Sequence, residues 1–185
     1  MAFDIITVLP TTVDGAHAAG DVMFNLTEFS MPARACKLIN IFMEVANGGG
    51  EDDTKIGILF FKKNTTASLG TAGPSSGSGT GATIAHADFR ANEHIGQTVL
   101  GLSDGSNLDL DVIDTTALYY SAHQFSTAAA SRSGAGLMEM VLTSDATKTS
   151  GGVPKTVVYM AGVVHSGAPD FDATDNVKIH LHIEY

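Results

Sequence analysis

From residue 177 to residue 184 the chain alternates strictly, with Val177, Ile179, Leu181 and Ile183 against Lys178, His180, His182 and Glu184. A period of two is that of a strand with one face buried and one polar. The same alternation over Asp21–Glu28 puts Val22, Phe24 and Leu26 on one face and Met23, Asn25 and Thr27 on the other. Phe3–Leu9 is a short β-prone run closed by Pro10, and Leu108, Leu110 and Val112 alternate with Asp109 and Asp111.

Other segments are apolar on both sides. Lys37–Ala46 sets Ile39, Ile41, Met43 and Val45 on one face against Leu38, Phe42 and Ala46 on the other, a pattern that belongs inside a layered structure. After the Gly- and Asp-rich turn 47–53, Lys55–Phe61 is expected to return as a hairpin with that strand. Further strands are expected over Thr83–Arg90, Ile95–Leu102, Ala117–Phe125, Leu137–Leu142 and Lys155–Val164, with a short helix running on into Ala128–Ala130 as the competing reading of Ala117–Phe125. Asn64–Gly81 is rich in Gly, Ser and Thr and carries no apolar period. A loop so long inside a domain is uncommon and calls for something to hold it, for which a neighbouring subunit is a candidate.

About ten short strands bounded by Gly, Pro, Asn, Asp or Ser, with no helical period, predict an all-β protein. The expected architecture is a β-sandwich, jelly-roll-like, with long Gly/Ser-rich loops. Residues 1–20 read as an N-terminal strand with a possible extended arm, and residues 21–185 as one β-sandwich domain. For 185 residues, roughly 70% of the extended-chain surface is buried on folding, so one good core is feasible.

Charge narrows the partners. Twenty acidic against ten basic residues give a net charge of −10, which repels phosphate backbones and anionic lipid, so neither nucleic acid nor membrane is an expected partner. No basic leader precedes the first apolar stretch, which argues against a secretory signal. The single cysteine, Cys36, sits among apolar residues and is expected to be buried and inert.

Candidate chemistry is sparse. His180 and His182 share a strand face with Glu184, and His-x-His on a strand can present imidazoles to Zn²⁺, Fe²⁺ or Mn²⁺; a solvated polar face explains the same residues, and the carboxylate spacing is not that of cupins. Asp170, Asp172 and Asp175 have the spacing of a Ca²⁺ loop but lack its glycine and distal glutamate, and Asx-turn chemistry accounts for them without an ion. Gly73-Pro74-Ser75-Ser76-Gly77 spells a nucleophile elbow without the flanking strand and helix the elbow requires. No catalytic residue, metal or cofactor is therefore assigned. Lys62 and Lys63, the adjacent basic pair, follow a buried-type strand whose edge such charges can blunt.

Phe60-Phe61-Lys62-Lys63-Asn64, the stretch Tyr159 to Pro169, and Lys178 to Tyr185 resemble the small all-β head proteins of tailed bacteriophages, cyanophages included, that decorate or cement the capsid exterior. The resemblance implies a virion protein without catalysis, assembled in the host cytoplasm. It would sit as a homo-oligomer, with a trimer favoured, over junctions between subunits of the major capsid protein. Phe3, Ile5 and Ile6 are then expected as apolar anchors, with Lys62 and Lys63 as further protein contacts. A carbohydrate- or receptor-binding module of a phage tail or host cell is the alternative, against which stand the lack of Trp and only 7% aromatics. A metal-dependent cupin-like enzyme ranks behind both.

Overall fold

A computed structural model of the chain describes residues 2–45, 48–49, 54–66, 69–74, 84, 86–100, 108–109, 118–121, 140–150, 152–171 and 177–185. In chain order the strands are β1 (Phe3–Val8), β2 (Gly15–Ala16), β3 (Val22–Met31), β4 (Ala35–Val45), β5 (Gly48–Gly49), β6 (Lys55–Phe61), β7 (His94–Leu100), β8 (Leu108–Asp109), β9 (Leu118–Ser121), β10 (Met140–Thr143), β11 (Thr147–Ser150), β12 (Val153–Ser166), β13 (Asp170–Phe171) and β14 (Val177–Glu184). Among the described residues there is one helix, α1 (His86–Ala91), which precedes β7.

The strands form an all-β sandwich, and every pairing is antiparallel. Sheet I runs β1-β14-β4, and the far edge of β4 is shared end to end, by β10 against Ala35–Leu38 and by β9 against Phe42–Val45. β8 extends it beyond β9. Sheet II is built on β12, with β3 along one edge and β11 and then β6 along the other; β7 extends it beyond β6. A small sheet, β2-β13-β5, joins the connecting segments.

The core lies between the sheets. Ile179, Leu181 and Ile183 of β14 and Leu38, Ile41 and Met43 of β4 meet Phe29, Ile58, Phe60 and Met160 of sheet II, all at most 5% exposed. The alternation expected of β14 is realised, each apolar residue inward and each polar one outward. β12 takes a glycine where the core leaves no room: a Cβ on Gly162 would lie 2.2 Å from the Phe24 ring.

Four expectations need correction. The first is the facing of β4. Its register against β14 slips between the pairs His182–Asn40 and Ile183–Leu38, so Ile39 is an extra residue and Leu38 joins Ile41 in the core instead of opposing it. The Asn40 side chain accepts the Ile41 N–H at 2.8 Å within this bulge. The second is the hairpin, because β4 and β6 lie in opposite sheets. The chain crosses between them through β5, which pairs with β13.

Third, the segment Thr83–Arg90 contains the helix α1 over its described end. Six residues are too few to display a helical period, and the fixed point is Phe89, packed edge-on against Phe61. Fourth, β3 is bulged against β12 on both sides of Gly162. Met23 and Phe24 are consequently both in the core, while Leu26 turns to the outer face of sheet II.

Candidate functional site

The outer faces of the two sheets are the surfaces available for function, and they differ. On sheet II the outer face is itself apolar, with Leu59, Phe61 and Ala161 buried together with Leu69 and packed by Leu26, Ile84, Phe89, Tyr159 and Val163. The cover is α1 and the described residues 64–66 and 69–74. Two asparagines hold that segment. Asn92, fully buried at the end of α1, accepts the N–H groups of Thr65 (2.8 Å) and Thr66 (3.1 Å) and donates to the Thr66 hydroxyl at 2.8 Å. Asn25 of β3 accepts the Leu69 N–H at 2.9 Å and donates to the Gly70 carbonyl at 3.1 Å. The described part of the long loop is thus bonded to its own chain through these two side chains.

His94 belongs to this covered layer, between Phe89 (ring centroids 4.5 Å apart) and Phe61 (5.4 Å). Its Nε2 is buried without a hydrogen-bond partner, and burial pushes its pKa below the ordinary value. A cavity of about 390 Å³ opens beside α1, floored by Gly57, Leu59, Val99 and Val163 and walled by Ile84 and Phe89.

On sheet I the outer face is largely polar. His180 stacks on Phe42 with centroids 4.4 Å apart, and His182 meets the same ring edge-on at 5.6 Å. The His180 Nδ1 hydrogen-bonds the Thr7 hydroxyl of β1 at 3.1 Å, and its Nε2 faces a Glu44 carboxylate oxygen 3.8 Å away. Glu44 also meets the Lys178 ammonium at 3.4 Å. The phenyl ring thus lies against both imidazoles. Among the described residues no three potential ligands come together. Asp170 is exposed on β13, where its backbone pairs with Ala16 and Gly49; Asp172 and Asp175 lie outside the described residues.

The expected anchors separate. Phe3 and Ile5 point outward beside Glu184 and His182 and are 67% and 56% exposed, whereas Ile6 turns inward and packs against the core. Leu9, just past the strand, is 66% exposed. Among the described residues the other exposed large apolar side chains are Tyr185, whose backbone exchanges hydrogen bonds with Ala2 beside β1, and Val141 on β10. All five belong to sheet I or its ends. This concentration went unseen in the sequence, because Leu9 and Val141 carry no mark there of being exposed.

Lys62 and Lys63 lie far along the chain from these anchors, at the end of β6 in sheet II. Lys63 is paired with Glu93, and the backbone N–H groups of Lys62 and Lys63 bond Glu93 and Asn92 carbonyls at 3.0 and 3.1 Å. Cys36 is buried, and burial pushes its thiol pKa up, as befits an inert thiol. Of the motif at 73–77 only Gly73 and Pro74 are described; the Gly73 N–H bonds the Val22 carbonyl at 2.9 Å. No helix of the described residues is long and apolar enough to cross a membrane.

No protein-family model matches the chain, and neither does any curated protein.

Proposed function

We propose that the protein is a non-enzymatic virion structural component that binds the outside of a phage capsid and stabilises the shell at junctions between major capsid subunits. The observation that supports a protein-binding role is the gathering of Phe3, Ile5 and Leu9 on one exposed strand and its extension, with Tyr185 alongside. Apolar side chains held out at positions 3 and 5 of a well-paired strand, with Leu9 just past its end, are an interaction surface rather than scattered exposure. The phage setting rests on the likeness of residues 60–64, 159–169 and 178–185 to head decoration proteins. On this reading Phe3 and Ile5 enter apolar pockets on the capsid surface, and no cofactor takes part.

Co-sedimentation with assembled heads lacking the protein tests this. Replacing Phe3 and Ile5 together by Asp is expected to weaken binding by at least about tenfold while the far-UV spectrum is unchanged, since both side chains are exposed. Undiminished binding of the double variant removes β1 as the docking surface. Failure of the parent protein to bind heads, with a competable hit on a glycan array, replaces the capsid reading by the carbohydrate one.

A further inference from the structure

We propose that the open edge of β1 pairs with the same edge of a second copy of this chain, antiparallel across a two-fold axis passing through Ile5. The inference is independent of the capsid reading. It starts from the hydrogen-bond phase of β1. Ala2 and Tyr185 exchange both of their backbone hydrogen bonds, at 2.9 and 3.0 Å. In an antiparallel ladder such pairs recur at every second residue, so Asp4, Ile6 and Val8 point their main-chain groups at β14. Phe3, Ile5 and Thr7 point theirs away from the sheet.

Among the described residues no strand pairs with β1 on that side. Among the described residues the Ile5 N–H is met by the carboxylate of its own neighbour, Asp4, at 2.8 Å. Open edges are ordinarily blunted by charged side chains, proline or a bulge. β1 has no lysine, proline or bulge; its one charge is Asp4, and its exposed side chains include Phe3 and Ile5.

Charge and strand length select the register. With the axis at Ile5, Phe3 faces Thr7 of the partner subunit and Ile5 faces Ile5 of the partner subunit, so all three outward residues of β1 exchange main-chain bonds. Asp4 then lies opposite Ile6 of the partner subunit. Moving the axis to Asp4 would set it directly against Asp4 of the partner subunit, and like charges so placed are destabilising. Moving it to Ile6 would pair Phe3 with Leu9 of the partner subunit, beyond the end of β1 and next to Pro10, which has no N–H to give.

Pairing exchanges the Asp4–Ile5 hydrogen bond for inter-subunit ones and makes sheet I continuous through both copies. The outward Phe3 and Ile5 side chains of the two subunits merge into one apolar surface. A contact of this kind is isologous and closes at two subunits, in contrast to the trimer that the resemblance implies. So small an interface dissociates in the micromolar range.

Native mass spectrometry across the micromolar range tests the proposal on the whole chain. The expected result is a monomer–dimer equilibrium that Ile5→Pro shifts to monomer by at least about tenfold. Proline removes only an N–H that points away from β14, so the β1–β14 ladder survives, and an unchanged melting temperature verifies that. Ile5→Cys supplies a second measurement that needs no loss of structure. Cα atoms in a hydrogen-bonded pair lie about 5.5 Å apart, within disulfide reach. Mild oxidation should therefore link Ile5→Cys into a covalent dimer and leave Thr7→Cys alone unlinked. A parent protein that is monomeric throughout, a trimer, a dimer indifferent to Ile5→Pro, or equal cross-linking of the two cysteine variants would each overturn the proposal.

Discussion

The outer face of sheet II is apolar, roofed by a helix and a pinned loop, while the outer face of sheet I is polar and bears its exposed apolar groups at one edge and one short strand. The difference is written in two kinds of strand. β14 alternates, so one of its faces can meet water. β6 reads Ile56, Gly57, Ile58, Leu59, Phe60, Phe61, with almost no polar position, and must be covered on both sides. What covers it is held by polar side chains, since the roof segment has little regular backbone bonding of its own. A face that is roofed serves stability. The other is left open, with Phe3 and Ile5 exposed at its edge.

The contrast can be broken most directly at its two aromatic centres. Phe61→Ala beneath the roof is expected to cost about 3–5 kcal/mol, because the side chain is fully buried between Phe89 and His94. Phe42→Ala on the open face loses its ring contacts with the histidines and costs nearer about 1 kcal/mol. Urea unfolding of both variants measures the pair. Equal losses would mean that the open face is as closely packed as the roofed one.

Asn92→Ala comes next. It strips the acceptor from the Thr65 and Thr66 N–H groups, at a cost of about 1–3 kcal/mol. Hydrogen exchange should rise at residues 65 and 66 and stay unchanged across β14, and a uniform rise would show that the roof is not a separable layer.

The smallest effect is one of pH. His94 has a folded pKa lowered by burial, so the unfolded chain binds more protons over the interval below the ordinary value of 6.5. The stability linked to His94 is therefore fully present above that value and is lost as pH falls through it toward the folded pKa. His94→Phe, which keeps a ring between Phe89 and Phe61, should flatten the stability profile between about pH 7.5 and 5. A variant with the slope of the parent would assign the proton uptake elsewhere.

The sequence made some of this legible and hid the rest for identifiable reasons. β14, β1, β12 and the all-β sandwich class follow from alternation and turn residues. The facing of β4 does not, because one extra residue at Ile39 reverses every later side chain and nothing in the composition marks it. Likewise, α1 is set by where Phe89 can pack and not by six residues of propensity. At the candidate site, the expectation grouped Phe3, Ile5 and Ile6; the structure leaves Phe3 and Ile5 exposed and turns Ile6 inward, since which parity of β1 faces the core depends on its register with β14. His180 and His182 share a face as their spacing requires. That Phe42 lies against both rings depends on the neighbouring strand.

The two sheets also impose an order in time. Leu38 pairs with Ile183, and Phe24 with Gly162, so the central strands of the first third of the chain meet their partners only after most of the remainder has emerged from the ribosome. Until then, among the described residues, β6 has only β7 to pair with and β4 only β9 and β10, and non-local pairing of this kind is slow and exposed to aggregation. The two sheets are thus completed only by β12 and β14, and the apolar faces of the earlier strands stay exposed to aggregation for longer than the modest chain length suggests.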